Sequence, residues 1–247
     1  MLADTAVITR RNLKRIIRTP RLLAVSSIQP VLFVLLFRYV FGGAIHAKGT
    51  SYIDYLLPGI LVTATLFGAT TSVAMAADLA SGMIDRFRSL PMARTAVLAG
   101  RCVADVTRSI IVIALVLAVG TLTGFRFGNG VLPALAAIGI VLGFGFAFTW
   151  LYALVGMLVA DPETAQLAAF IPVFLLVFAS SVFVPISTMP GWLQAFAKHQ
   201  PVTVTVNTVR ALAEGGGITH QAWQSGCWIA AFIVVFGALS VARYRAT

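Results

Sequence analysis

Side chains able to do chemistry are few in this sequence, and they are concentrated in one stretch. Between Asp78 and Arg108, in DLASGMIDRFRSLPMARTAVLAGRCVADVTR, five arginines (Arg86, Arg88, Arg94, Arg101 and Arg108) are set against Asp78, Asp85 and Asp105. Ile84, Phe87 and Leu90 recur every third residue, Asp85, Arg86 and Arg88 lie between them, and Pro91 closes the pattern. This spacing predicts a short amphipathic helix over 82–91, an apolar plug with charged flanks. Its chemistry is docking into a partner's groove rather than bond breaking. Arg101, Asp105 and Arg108 share one face of the helix that follows, either as an ion cluster at headgroup level or as a solvated salt-bridge face.

Catalytic patterns are missing from the sequence. It has no GxxxxGK[ST] phosphate loop and therefore no means of hydrolysing ATP itself, and HExxH, GxSxG and CxxC are absent too. His46, His199 and His220 all fall in predicted external segments, and a shared metal site would rest on residue type alone. Cys102 and Cys227 are expected on opposite sides of a bilayer, which excludes a disulfide and a two-cysteine metal site. No cofactor is expected in this chain.

The elements that must position these residues are set by an oily composition. Of 247 residues 59% are hydrophobic and 11% charged, with a mean hydropathy of +0.94. Soluble domains carry roughly 25% charged residues, so lipid must be the main solvent. The net charge of +10 does not point to nucleic acid. Thirteen of the eighteen Lys and Arg residues lie in the N-terminal segment, the central hinge and the C-terminal tail, the pattern of the positive-inside rule. Both termini are then cytoplasmic in a multi-pass protein.

The expected fold class is all-α integral membrane, as one membrane domain over 1–247. Residues 5–19, TAVITRRNLKRIIRT, form a basic amphipathic helix in the headgroup plane or a topology signal, and the two roles can coexist. Six membrane spans are expected at 22–42, 55–77, 99–123, 132–160, 164–184 and 223–242. Gln29-Pro30 should kink the first span. Asp161-Pro162-Glu163 should start the fifth, with Asp161 as N-cap and Pro162 at the first helical position. Gly139 and Gly143 make a GxxxG spacing compatible with close packing.

Residues 185–222 are too long and too patterned for a plain linker. Trp192, Leu193, Phe196 and Ala197 share one helical face, and Val202, Val206, Val209, Arg210 and Leu212 mark a second apolar-periodic segment. Two short external re-entrant helices are expected, or else a folded cap without a pathway role.

Taken together, these segments resemble the type-2 permeases of ATP-binding-cassette (ABC) exporters, in particular the daunorubicin/doxorubicin-resistance permease group. The resemblance is carried by QPVLFVLLFRYVFGG in the first span, DRFRSLPMARTAVLAGR in the hinge, DPETAQ before the fifth span and FVPISTMPGWLQAFAKHQPVTVTVNTVRAL outside. It implies a half-transporter in the prokaryotic plasma membrane. Its partners would be a second permease copy or paralogue and ABC ATPase subunits that hold ATP and Mg, with lipid around it. By residue, Ile84, Asp85, Arg86, Phe87, Arg88 and Leu90 would dock the ATPase, supported by Arg11 and Arg15. The first, second and fifth spans would line the pathway, with Trp192, Phe196 and Arg210 at the external gate.

The expected cargo is an amphipathic drug-like or lipid-like molecule, with a lipid-linked glycan or envelope lipid as the alternative. An ion-coupled secondary carrier fits less well, because the predicted midplane is almost free of carboxylates. A scaffold that only anchors a partner is the remaining class.

Overall fold

The computed structural model describes residues 20–43, 51–67, 70–81, 94–159, 161–215 and 219–246. The interface helix 5–19, with Arg11 and Arg15, lies outside the described residues. So does the coupling helix 82–91, with Ile84, Asp85, Arg86, Phe87, Arg88 and Leu90.

Among the described residues the chain is helical: α1 (Pro20–Leu36, continued by a π-helical turn Phe37–Phe41), α2 (Tyr52–Leu66), α3 (Thr70–Ala80), α4 (Arg94–Leu122), α5 (Val131–Leu158), α6 (Pro162–Phe178), α7 (Gly191–His199), α8 (Pro201–Glu214) and α9 (Thr219–Ala246). Among the described residues, four stretches are long and apolar enough to cross a membrane: Tyr52–Ala80 taken as one, Asp105–Leu122, Val131–Leu158 and His220–Tyr244. Ser27–Phe41 and Pro162–Phe178 are shorter apolar helices. Helices α2, α3, α5 and α9 run one way along the bundle, since Gly145 meets Thr65, Gly156 meets Ser72, Gly143 meets Ile229 and Ser240 bonds to the Trp150 carbonyl, and α4 runs the other way. One end of the bundle, the hinge end, gathers the C-termini of α3, α5 and α9 and the N-termini of α4 and α6. The other, the cap end, carries α7 and α8.

Helices that are apolar all round belong inside, and α2 and α5 are both of this kind. Every residue of α2 except Asp54 is buried. The centre of the fold is α5, which packs against α9, α3, α8, α4, α2 and α6. Its close contacts depend on glycine, though not on the Gly139/Gly143 pair. A Cβ on Gly139 would meet open space and one on Gly143 would make ordinary contact with Ile229 at 3.8 Å. A Cβ on Gly145 would lie 2.7 Å from Thr65 Cβ, and one on Gly156 2.3 Å from the Ser72 main-chain oxygen. Close backbone approach through small residues is how apolar helices gain packing in lipid.

Two expected spans differ from their sequence boundaries. The run 55–77 is not one helix, because α2 stops at Leu66 and α3 starts at Thr70. Residues 68 and 69 lie outside the described residues, and the Leu66 carbonyl accepts a hydrogen bond from the Tyr152 hydroxyl of α5. The run 164–184 stays helical only to Phe178. Beyond it Ser180 Oγ donates to the Val177 carbonyl at 2.5 Å, a local bond that competes with the helix, and Pro185 cannot resume it.

The segment 191–214 forms two helices, as its periodicity predicts. Gln200-Pro201 joins them: Gln200 Oε1 accepts from the Val202 amide at 3.0 Å, and Pro201 occupies the first turn, where its missing amide costs nothing. Gly215, at φ +88°, closes α8 in the left-handed conformation that glycine adopts freely. Most of α8 is buried, wedged among α2, α5 and α9. The carbonyls that α8 leaves at its end are taken by the 123–130 turn, where the Gly128 amide donates to Ala213 at 3.0 Å.

Candidate functional site

Three arrangements of side chains stand out, and they follow one another along the bundle. The first is a cage at the cap end. Because α6 ends early, the main chain of 179–184 crosses apolar surroundings with its carbonyls unpaired by helix. Tyr52 and Tyr55, one turn apart on α2, donate their hydroxyls to the Phe183 and Ser181 carbonyls at 3.1 and 2.9 Å. Gln200 Nε2 donates to the Leu176 carbonyl at 3.1 Å. Arg210 completes the cage from α8: Nη2 reaches the Ser181 carbonyl at 3.1 Å, Nη1 the Asn207 Oδ1 at 2.8 Å, and Nε and Nη2 share the Tyr55 carbonyl. Its guanidinium carbon also lies 3.7 Å from the centre of the Tyr55 ring.

The second is a polar centre at the break between α2 and α3. Asp105 accepts from the Thr71 hydroxyl, and Arg108 Nε stands 3.6 Å from its other oxygen. Both side chains are largely withdrawn from solvent, at 15% and 8% exposure. Arg101 lies on the same helix, α4, seven residues before Arg108, and its side chain is outside the described residues.

The third is a ladder of phenylalanines joining these two. Phe41 stacks on Phe37 (5.1 Å between ring centres), Phe37 on Phe183 (4.5 Å), and Phe183 contacts Phe178 (5.1 Å). The series continues through Phe174 (4.4 Å) and Phe170 (5.6 Å) to Phe67 (5.6 Å), beside the break. The rungs on α6 are open to the surroundings, with Phe170, Phe174 and Phe178 at 37%, 38% and 43% exposure. The arrangement can hold flat apolar ring systems by stacking.

The expected gate residues are distributed between different settings. Arg210 is part of the cage, whereas Trp192 stands 77% exposed on α7 and Phe196 is also exposed. Of the spans expected to line a pathway, α1 and α6 carry the exposed ladder, but α2 is buried within its own chain. The Asp161 turn forms as expected: Oδ2 accepts from the Thr164 amide and hydroxyl, both at 2.7 Å, with Pro162 in the first turn. Those bonds, the hydroxyl first, hold the Asp161 carboxyl below the usual carboxylate range.

The cage tyrosines and the ladder were not singled out by sequence reasoning. A signal for the ladder exists, since Phe33, Phe37 and Phe41 in α1 and Phe170, Phe174 and Phe178 in α6 repeat the same spacing of four. Within uniformly apolar runs such a repeat is hidden. The donors of the cage had no signal, because their need arises only where α6 stops.

Comparison with known proteins identifies the family. Residues 4–213 match the family described as ABC-2 type transporter. The chain is 34% identical over 222 residues to a daunorubicin resistance ABC transporter permease protein, DrrB1, of Streptomyces coeruleorubidus, covering 88% of this chain and 77% of that one. It is 26% identical over 246 residues to a probable doxorubicin resistance ABC transporter permease protein, DrrC, of Mycobacterium tuberculosis, covering 99% and 89%. A putative transport permease, ycf38, of Cyanophora paradoxa is 26% identical over 233 residues, covering 90% and 76%. The chain belongs to the ABC-2 type transporter family, as a multi-pass, non-catalytic permease subunit.

Proposed function

We propose that the chain is half of an ATP-driven exporter that moves a flat, amphipathic, drug-like molecule out of a prokaryotic cell. The observation that carries this reading is the phenylalanine ladder, a continuous aromatic track on the open α1–α6 face. A second permease copy or paralogue set against that face would enclose the track as a cavity. Two relatives bear resistance to daunorubicin or doxorubicin in their names, and the proposal extends cargo of that kind to this chain.

In this reading the six spans include the two short helices. At 1.5 Å per residue α6 covers roughly 25 Å, less than the ~30 Å of hydrocarbon, and the caged turn after it completes the crossing. The hinge end and both termini face the cytoplasm, following the excess of Lys and Arg there. Ile84, Asp85, Arg86, Phe87, Arg88 and Leu90 dock ATPase subunits that carry ATP and Mg, with Arg11 and Arg15 in support. Closure of those subunits would switch the cavity between inward- and outward-open states.

The test is ATPase activity of the reconstituted complex, with and without Phe87→Asp. Drug-stimulated hydrolysis that disappears in the variant, with the complex still assembled, supports the reading. Stimulation that persists in the variant, or a chain that binds no ATPase, would overturn it. Export of a lipid-linked glycan remains the alternative for cargo; stimulation by such a glycan, and by no aromatic amphiphile, would select it.

A further inference from the structure

A groove of about 270 Å³ lies at the cap end between the end of α7 and the start of α9, outside the ladder and the cage. Lys198 and His199 form its rim on one side, and Trp223, Cys227 and Trp228 form the other, with Val204 of α8 at its base. The α9 residues recur at three- and four-residue steps, so they make one stripe along that helix. The rim is basic and the wall is aromatic.

We infer that this groove binds an anionic phospholipid of the surrounding membrane. Three observations converge on that occupant. First, the charge is complementary to a phosphate: Lys198 and His199 occupy the last turn of α7, where the helix dipole also favours cations. His199 Nδ1 lies 3.1 Å from the Ala195 carbonyl, to which it must donate, so Lys198 is the donor left to meet a phosphate. Second, tryptophan flanked by lysine is the composition of a membrane–water interface, and Trp223 is 74% exposed there. Third, the stripe leads on to an open apolar face of α9, where Val234, Val235 and Leu239 are all exposed. A headgroup at the rim would leave its acyl chains lying along that face.

A cationic amphiphile would be repelled by the same rim, so this is not a second seat for such cargo. The assignment requires only that the groove sit at the membrane surface. It does not depend on what the permease exports or which end faces the cytoplasm, so its failure would leave the proposed function untouched.

Cys227 provides a reporter inside the groove, and it is exposed. The full chain carrying Cys102→Ala is placed in nanodiscs of phosphatidylcholine with rising phosphatidylglycerol, and modification of Cys227 by an uncharged maleimide is timed. Phosphatidylglycerol should slow labelling where added phosphatidylcholine does not. Lys198→Gln should weaken that protection by about fivefold, the effect of one basic charge near an anionic lipid surface. Lys198→Arg should restore it, and the melting temperatures of these surface variants should match the parent. Equal protection by the two lipids would overturn the assignment. So would protection that survives Lys198→Gln together with His199→Gln, since it would then reflect general surface charge.

Discussion

Arg210 donates two hydrogen bonds to the main-chain oxygen of Tyr55, at 3.1 and 2.9 Å, and covers the ring of the same residue at 3.7 Å. One side chain of α8 therefore holds both the backbone and the aromatic face of α2, a helix 155 residues earlier in sequence. The Ser181 carbonyl, which accepts from both Arg210 and the Tyr55 hydroxyl, fastens the end of α6 to the same point. The early end of α6 is workable because of this junction.

Replacing Arg210 should therefore destabilise the cap end as a unit. Arg210→Ala removes both side-chain donors from the Tyr55 carbonyl and one of the two donors from the Ser181 carbonyl, and a buried group left without its partner costs about 1–3 kcal/mol. Lys cannot reproduce the planar fork, so Arg210→Lys should rescue only a minority of the loss. Tyr55→Phe removes one hydroxyl and keeps the ring and the main-chain acceptor, and it should cost the least of the three. Thermal melting in detergent would rank them, and an Arg210→Lys variant as stable as the parent would contradict the cage.

At the other end of α6, Asp161 caps the helix through the Thr164 amide and hydroxyl. Its folded pKa lies below the ordinary value because those donors favour the charged form. The cap thus contributes fully above the unfolded carboxylate pKa of about 3.9 and is lost as pH falls through the lower folded value. Asp161→Ala should melt below the parent at neutral pH, and the gap should close on acidification through that window. A gap that does not change with pH would show that the charge is irrelevant to the cap.

The aromatic ladder makes a selective prediction. Phe174→Ala removes the centre of the open track while Phe170 and Phe178 remain to hold the helix. Loss of one ring contact, worth about 1 kcal/mol, should weaken apparent affinity for a flat aromatic substrate by about fivefold. Transport of an aliphatic amphiphile should change little. Equal losses for both solutes, measured in vesicles containing the assembled complex, would mean that the rings only pack the helix.

Much of this organisation is legible in the residues themselves. The oily composition, the N-cap at Asp161 and the two helices either side of Gln200-Pro201 follow from local pattern, which reports on local structure. The break at Leu66 and the early end of α6 do not, because both are stabilised by donors far away in sequence: Tyr152 for the first, and Tyr52, Tyr55, Gln200 and Arg210 for the second. Hydropathy sees only that those runs are apolar. It likewise cannot tell that Gly145 and Gly156 touch neighbours while Gly139 does not.

The Asp105–Arg108 pair offers a test of whether charge at the break is structural or mechanical. Arg108 is buried and Asp105 is largely so, and a buried pair stripped of one partner typically loses about 3 kcal/mol or more because the other charge remains. Asp105→Asn retains an acceptor for the Thr71 hydroxyl but removes the negative charge, so its cost isolates the electrostatic part. Arg108→Met retains much of the apolar stem and removes the positive charge. If the two charges act chiefly on each other, the double variant should be more stable than the sum of the singles predicts, with a coupling of about 1–2 kcal/mol in a double-mutant cycle. Additive losses would show that each charge serves other neighbours. Because Asp105 holds Thr71 in the first turn of α3, the double variant should fold yet transport slowly if the charges also govern how α3 moves against α4. Full transport at restored stability would confine them to a packing role.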